Sequence, residues 1–118
     1  MSVQSIKRNR NKLEANLEVA FYKEGKYFVA YCPAVEVSSY ASTIEKAKER
    51  FGEELKIFFD ETVKRGTLEK LLIQYGWVLQ RKEFKPPTKT NALTRKYGDY
   101  PYFNLLHTKI EIPRPVSA

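Results

Sequence analysis

His107 is the single histidine of the chain and Cys32 its single cysteine. General-base work by His107 needs a nucleophile or carboxylate held beside it, and the nearby sequence offers only Thr108 and Glu111. Cys32 stands next to Pro33 at the end of an apolar run, with no histidine or helix start to lower its pKa. It reads as a half-buried strand cysteine. A lone thiol rules out an internal disulfide framework and gives no zinc-ligand spacing. Glu45, Glu49, Glu53, Glu54, Asp60 and Glu61 recur along one helical stretch, and only Glu18 or Glu36 stands in a strand-like run to complete a metal cluster. The acidic row is therefore a solvated helix face, suited to meeting a basic partner. Gly25, Gly52, Gly66, Gly76 and Gly98 are too dispersed to build a phosphate loop. These residues predict no enzyme, no cofactor and no metal site.

Charge is divided unevenly. Residues 1–12 carry Lys7, Arg8, Arg10 and Lys12 and no acid, residues 13–76 hold nine basic against eleven acidic residues, and residues 77–118 hold eight against three. A slightly acidic centre thus lies between basic ends, within a net charge of +7. Basic ends attract phosphates through counterion release, so Lys7, Arg8, Arg10 and Lys12 are the candidates for nucleic-acid contact under an alternative reading of the chain as a nucleic-acid-binding or dimeric interaction module. The apolar fraction of 42% is too high for a disordered chain. Residues 1–16 have no apolar stretch behind their charges and no run of 18 apolar residues occurs, which predicts neither a signal peptide nor a membrane span. A reducing cytoplasm fits the cysteine usage.

The elements that must position these residues follow from periodicity. Leu17–Tyr22 alternates, Lys26–Cys32 is aromatic and β-branched, and the short loop with Gly25 joins them as a hairpin. Pro33 ends the second run, and Val35–Tyr40 alternates again, which completes a three-stranded meander. Ser42 and Glu45 have capping-box spacing. Behind them Ile44, Ala47, Phe51, Leu55, Phe58, Phe59 and Val63 follow helical spacing to a stop at Gly66. This predicts a helix over about 43–65, with Gly52 expected at a close backbone contact. Thr67–Tyr75 reads as a second, short helix and Trp77–Gln80 as a late strand.

Beyond Arg81 the pattern loosens at Pro86, Pro87, Asn91, Gly98, Pro101, Pro113 and Pro115. Only Tyr102–Leu106 and Lys109–Ile112 look able to dock as short ordered pieces. The expectation is an α+β fold: a small antiparallel sheet, meander plus late strand, covered on one face by one long helix. Residues 1–16 form a basic N-terminal arm, 17–83 the domain, and 84–118 a proline-containing basic tail. The other sheet face then lacks a cover, and Tyr22, Tyr27 and Tyr31 become candidates for meeting a partner or a second copy.

Gly25–Pro33, Val35–Tyr40 and the helix start Thr43-Ile44-Glu45-Lys46-Ala47 resemble the HicB family of antitoxins, over about residues 17–65. That resemblance implies a degenerate ribonuclease-H-like sheet and no catalysis. It implies a small basic mRNA-interferase toxin of the HicA type as partner, its catalytic histidine covered by the antitoxin. Many members of the family carry a C-terminal DNA-binding domain. Residues 84–118 hold five of the six prolines and no pair of amphipathic helices, so the chain resembles a short form without one. Glu45, Glu49 and Glu53, with Tyr22, Tyr27 and Tyr31, are the residues expected to meet the toxin, and a homo-oligomer is expected.

Overall fold

Alternation over Lys12–Glu24 sets the architecture. Leu13, Ala15, Leu17, Val19 and Phe21 are all buried, while Lys12, Glu14, Asn16 and Glu18 between them are half-buried. This is the period-two signature of a strand with two unequal faces. A computed structural model describes residues 4–81, 83–86 and 92–113. The expected breaks at Pro87, Asn91 and Pro115 lie outside the described residues.

Seven strands form one open antiparallel sheet, more than the meander and late strand expected. β1 (Ser5–Arg8), β2 (Lys12–Glu24), β3 (Tyr27–Cys32) and β4 (Val37–Ala41) come first, then α1 (Ile44–Arg65) and α2 (Leu68–Gln74). β5 (Val78–Gln80), β6 (Glu83–Lys85), α3 (Ala92–Tyr97) and β7 (Asn104–Pro113) follow. Neighbours run β4-β3-β2-β1-β6-β5, with β7 on β2. β7 pairs with residues 12–21 of β2, a span that overlaps both the part paired to β1 (13–16) and the part paired to β3 (20–24). β1 and β3 therefore share one edge of β2, end to end, and β7 takes the other.

On one face α1 lays Ala47, Phe51, Leu55 and Phe59 over the sheet, and Leu68 and Leu72 of α2 extend the same core. Thr43 is the N-cap, its hydroxyl accepting from the Lys46 amide at 3.2 Å. The cap is thus one residue past the expected Ser42, and Glu45 sits in the first turn, favourable to the positive end of the helix dipole. Gly66 closes α1 in the left-handed region (φ 69) and donates to the Thr62 and Val63 carbonyls. Gly52 departs from expectation: it is exposed, and an added Cβ would meet nothing within 4 Å. Trp77 is buried beyond α2, its indole N–H donating to the Ala34 carbonyl at 2.7 Å. That bond fixes the turn Pro33–Glu36, where Glu36 has φ 55, so β4 starts at Val37 and not at Val35.

The expected N-terminal arm is part of the sheet. Ile6 is fully buried, Gln4 and Ser5 are buried, and the Gln4 side chain accepts from the Glu18 amide at 2.8 Å. The expected tail is structural as well. β6 pairs with β1, β7 pairs with β2 along its whole length, and Ile112, Ile110 and Leu106 join the α1-side core. The second sheet face, expected to be open, is covered in part, while His107, Lys109 and Glu111 on it are exposed. Leu93 of α3 with Tyr97, Tyr100 and Phe103 packs on Ala20, Tyr22, Val29, Tyr31 and Leu105. Among the described residues no helix is long and apolar enough to cross a membrane.

Candidate functional site

The three tyrosines expected to meet a partner share one sheet face, but two of them are taken into an internal cluster with Tyr97. Tyr22 is only 6% exposed, stacked on Tyr97 and edge-on to Tyr100 at 4.9 Å. Burial, reinforced by Tyr97, pushes its hydroxyl up to about 12. It belongs to a core and offers nothing to a partner. Tyr31 is half-buried beside Tyr97, and its hydroxyl donates to Glu36 Oε2 at 3.4 Å. Burial and then Glu36 raise it to about 12. Only Tyr27 remains at the surface, 41% exposed and edge-on to the 61% exposed Tyr40, with the Lys26 ammonium 5.6 Å from its ring.

Glu45, Glu49 and Glu53 lie one turn apart and all are exposed. They stand two residues from Ala47, Phe51 and Leu55, which puts them on the outward side of α1, opposite the buried stripe. Lys46 reaches Glu49 at 3.8 Å, while the Lys48 ammonium turns away to lie 5.5 Å from the Phe21 ring. One further turn on, Ile57 is 55% exposed. It lines a groove of about 300 Å³ between α1 and β4, with Glu36, Val37, Ser38, Glu54 and Phe58. Two carboxylates and an apolar floor therefore continue the acidic row. The row is legible from helical spacing alone, whereas Glu36 joins it only because β4 folds against α1.

The basic residues are also redistributed. Arg8 forms an ion pair with Glu69 of α2 and lies 5.9 Å from the Phe84 ring. Lys12 is held between Glu14 at 2.9 Å and Glu111 at 3.4 Å, and hydrogen bonds to both carboxylates raise its pKa. Arg10 is exposed in the β1–β2 turn. Lys7 and Arg8 line a groove of about 650 Å³ together with Asn9, Gln80, Arg81, Glu83 and Lys85. Sequence spacing does not find Arg81 and Lys85, because β6 reaches β1 only through long-range pairing. Arg81 adopts φ 53, a backbone conformation that favours glycine.

The single cysteine and the single histidine stand in different surroundings. Cys32 is fully buried, and burial pushes its thiol up to about 12. His107 lies on the second face of β7, its Nε2 3.7 Å from Glu18 Oε2. Among the described residues no three histidine, cysteine or acidic side chains gather closely enough to hold a metal ion. What the surface offers is thus an acidic groove on one side and a basic groove at another. Compared with known proteins, the chain matches no family model, no curated protein and no solved structure.

Proposed function

We propose that this chain is an antitoxin of the HicB kind: it binds a small basic mRNA-interferase toxin and silences it by occupying its surface, without catalysis of its own. The observation that carries this reading is the acidic row Glu45, Glu49, Glu53 on the outward side of α1, continued by the Glu36, Glu54, Ile57 and Phe58 groove. Exposed Lys46, Arg50 and Lys56 stand among these carboxylates, so the surface holds a basic partner through individual carboxylates around an exposed apolar centre rather than through a field of one sign. The resemblance of residues 17–65 to HicB antitoxins supplies the identity of that partner and a degenerate ribonuclease-H-like frame for the sheet, and the lone cysteine fits a cytoplasmic setting. The basic toxin meets α1 and β4, while Tyr22 and Tyr31 stay internal to the antitoxin.

The test is co-expression of the chain with the small basic protein encoded beside it. A stable complex and restored growth are expected, and the triple reversal E45K/E49K/E53K should abolish both while the variant keeps its circular dichroism. Undiminished mRNA cleavage by that neighbour in the presence of excess chain sinks the reading.

A second reading, binding of nucleic acid, is favoured by the groove that brings Lys7, Arg8, Arg81 and Lys85 together. Phosphate contacts by such residues give affinity that falls steeply with salt. A gel shift on duplex RNA or DNA at low salt, lost in R81A/K85A, supports it; no shift at low salt removes it.

A further inference from the structure

β7 is the longest strand at the border of the sheet. All ten of its residues pair with β2, and among the described residues nothing pairs with its other edge. A row of unpaired backbone donors and acceptors on an outer strand is a template for another strand. The remaining border strands, β4 and β5, are five and three residues long. β7 is also self-complementary. Its helix-side positions are Leu106, Thr108, Ile110 and Ile112, across from Val19, Leu17, Ala15 and Leu13 of β2; Leu105, His107, Lys109 and Glu111 point the other way.

We propose that β7 pairs antiparallel with β7 of a second copy, about a twofold axis through Ile110. In that register Lys109 of each copy stands across from Glu111 of the other, so the symmetry makes the ion pair twice. Ile110 meets its own counterpart, and Thr108 faces Ile112. Neighbouring registers lose this match. Centring on Thr108 sets Lys109 across from His107, centring on Lys109 sets it against itself, and centring on Glu111 sets like carboxylates together. Directly opposed charges of like sign destabilise a strand pair, and opposite ones stabilise it. An isologous interface repeats each such effect. Lys109 and Glu111 are both exposed in the single chain, where Glu111 shares Lys12, 3.4 Å away, with Glu14, and pairing across the axis gives each a further partner of opposite sign. The second copy continues the sheet across the axis and pairs residues 107–113 of each chain.

Sedimentation equilibrium on the full chain tests this without any toxin present, so its outcome is separate from that of the antitoxin reading. The chain should be a reversible dimer. K109E and E111K should each raise the dissociation constant by about tenfold or more, since each places two like-charged pairs across the axis. The double swap K109E/E111K rebuilds both pairs in reverse and should return the constant to near that of the parent chain. Both side chains are exposed, and circular dichroism together with Trp77 fluorescence establishes that the variants fold. A chain that is monomeric throughout the concentration series, or a dimer indifferent to the single reversals, overturns the proposal.

Discussion

The ring of Tyr97 lies nearly parallel to that of Tyr22, with centroids 4.7 Å apart and planes 13° from coplanar. Tyr22 belongs to the long central strand and Tyr97 to the last turn of α3, so one stacking contact joins the two ends of the chain. Around it Tyr100 and Tyr31 meet Tyr97 at 5.8 and 6.0 Å. Aromatic pairs of this kind contribute about 0.5–1.5 kcal/mol beyond the area they bury. The small core they form covers the part of the second sheet face around Ala20, Tyr22, Val29 and Tyr31.

Tyr97→Ala should therefore destabilise the fold by about 2–3 kcal/mol, from lost ring contacts and the gap left over Tyr22. Urea unfolding followed by circular dichroism measures it. Tyr102→Ala, at a site 68% exposed, should cost much less. Equal costs for the two variants contradict the sealing role of Tyr97.

Alkaline pH attacks the same structure. Cys32 ionises ordinarily at 9.0 and Tyr22 and Tyr31 at 10.0, yet burial holds all three protonated in the fold up to about 12. Their folded pKa values are raised, so the unfolded chain releases these protons first. The stability they confer is complete below the ordinary values and is lost as pH climbs toward 12. Unfolding free energy should start to fall near pH 9, and in Cys32→Ala the decline should start about one unit later, where the tyrosines take over. A thiol reagent should label Cys32 slowly in the folded chain at pH 8 and rapidly in urea.

What the sequence made legible was local. The α1 stripe of Ala47, Phe51, Leu55 and Phe59 depends on neighbours three or four residues apart, so helical spacing finds both it and the acidic row opposite. The position of the cap slipped by one residue because Ser42 and Thr43 both carry a hydroxyl. β7 was harder to see. Its alternation is interrupted by polar Thr108 on the inner side, its ends are marked by prolines, and its partner β2 lies at the far end of the chain. Charge concealed β1 and the start of β2: Lys7, Arg8, Arg10 and Lys12 read as an arm, although Leu13 and Ala15 already alternate with Glu14 and Asn16. The uncovered tyrosine face followed from missing α3, whose six residues are too few for periodicity to register.

Gly52 of α1 and Gly66 at its C-cap should respond to alanine with opposite signs. Gly66 sits at φ 69, where a Cβ is strained although the space around it is open. Gly66→Ala should cost about 1 kcal/mol, with asparagine milder. Gly52 lies inside the helix, exposed and unobstructed, so Gly52→Ala should stabilise by about 0.5–1 kcal/mol. Thermal unfolding of the pair reads both. Loss of stability in Gly52→Ala would show that something approaches the bare backbone there.

Arg81 offers a sharper test of the basic groove. A left-handed conformation costs a non-glycine residue roughly 1–2 kcal/mol, and Arg81 adopts it in the β5–β6 turn beside Lys7, Arg8 and Lys85. Stability alone favours glycine at that turn, and what arginine adds there is a guanidinium facing the basic groove. Arg81→Gly should stabilise the fold by about 1 kcal/mol in urea unfolding. It should at the same time weaken any binding to RNA or DNA and lower the salt slope by about one unit, as expected when one phosphate contact is removed. A variant that gains stability and binds nucleic acid as well as the parent leaves Arg81 outside that contact.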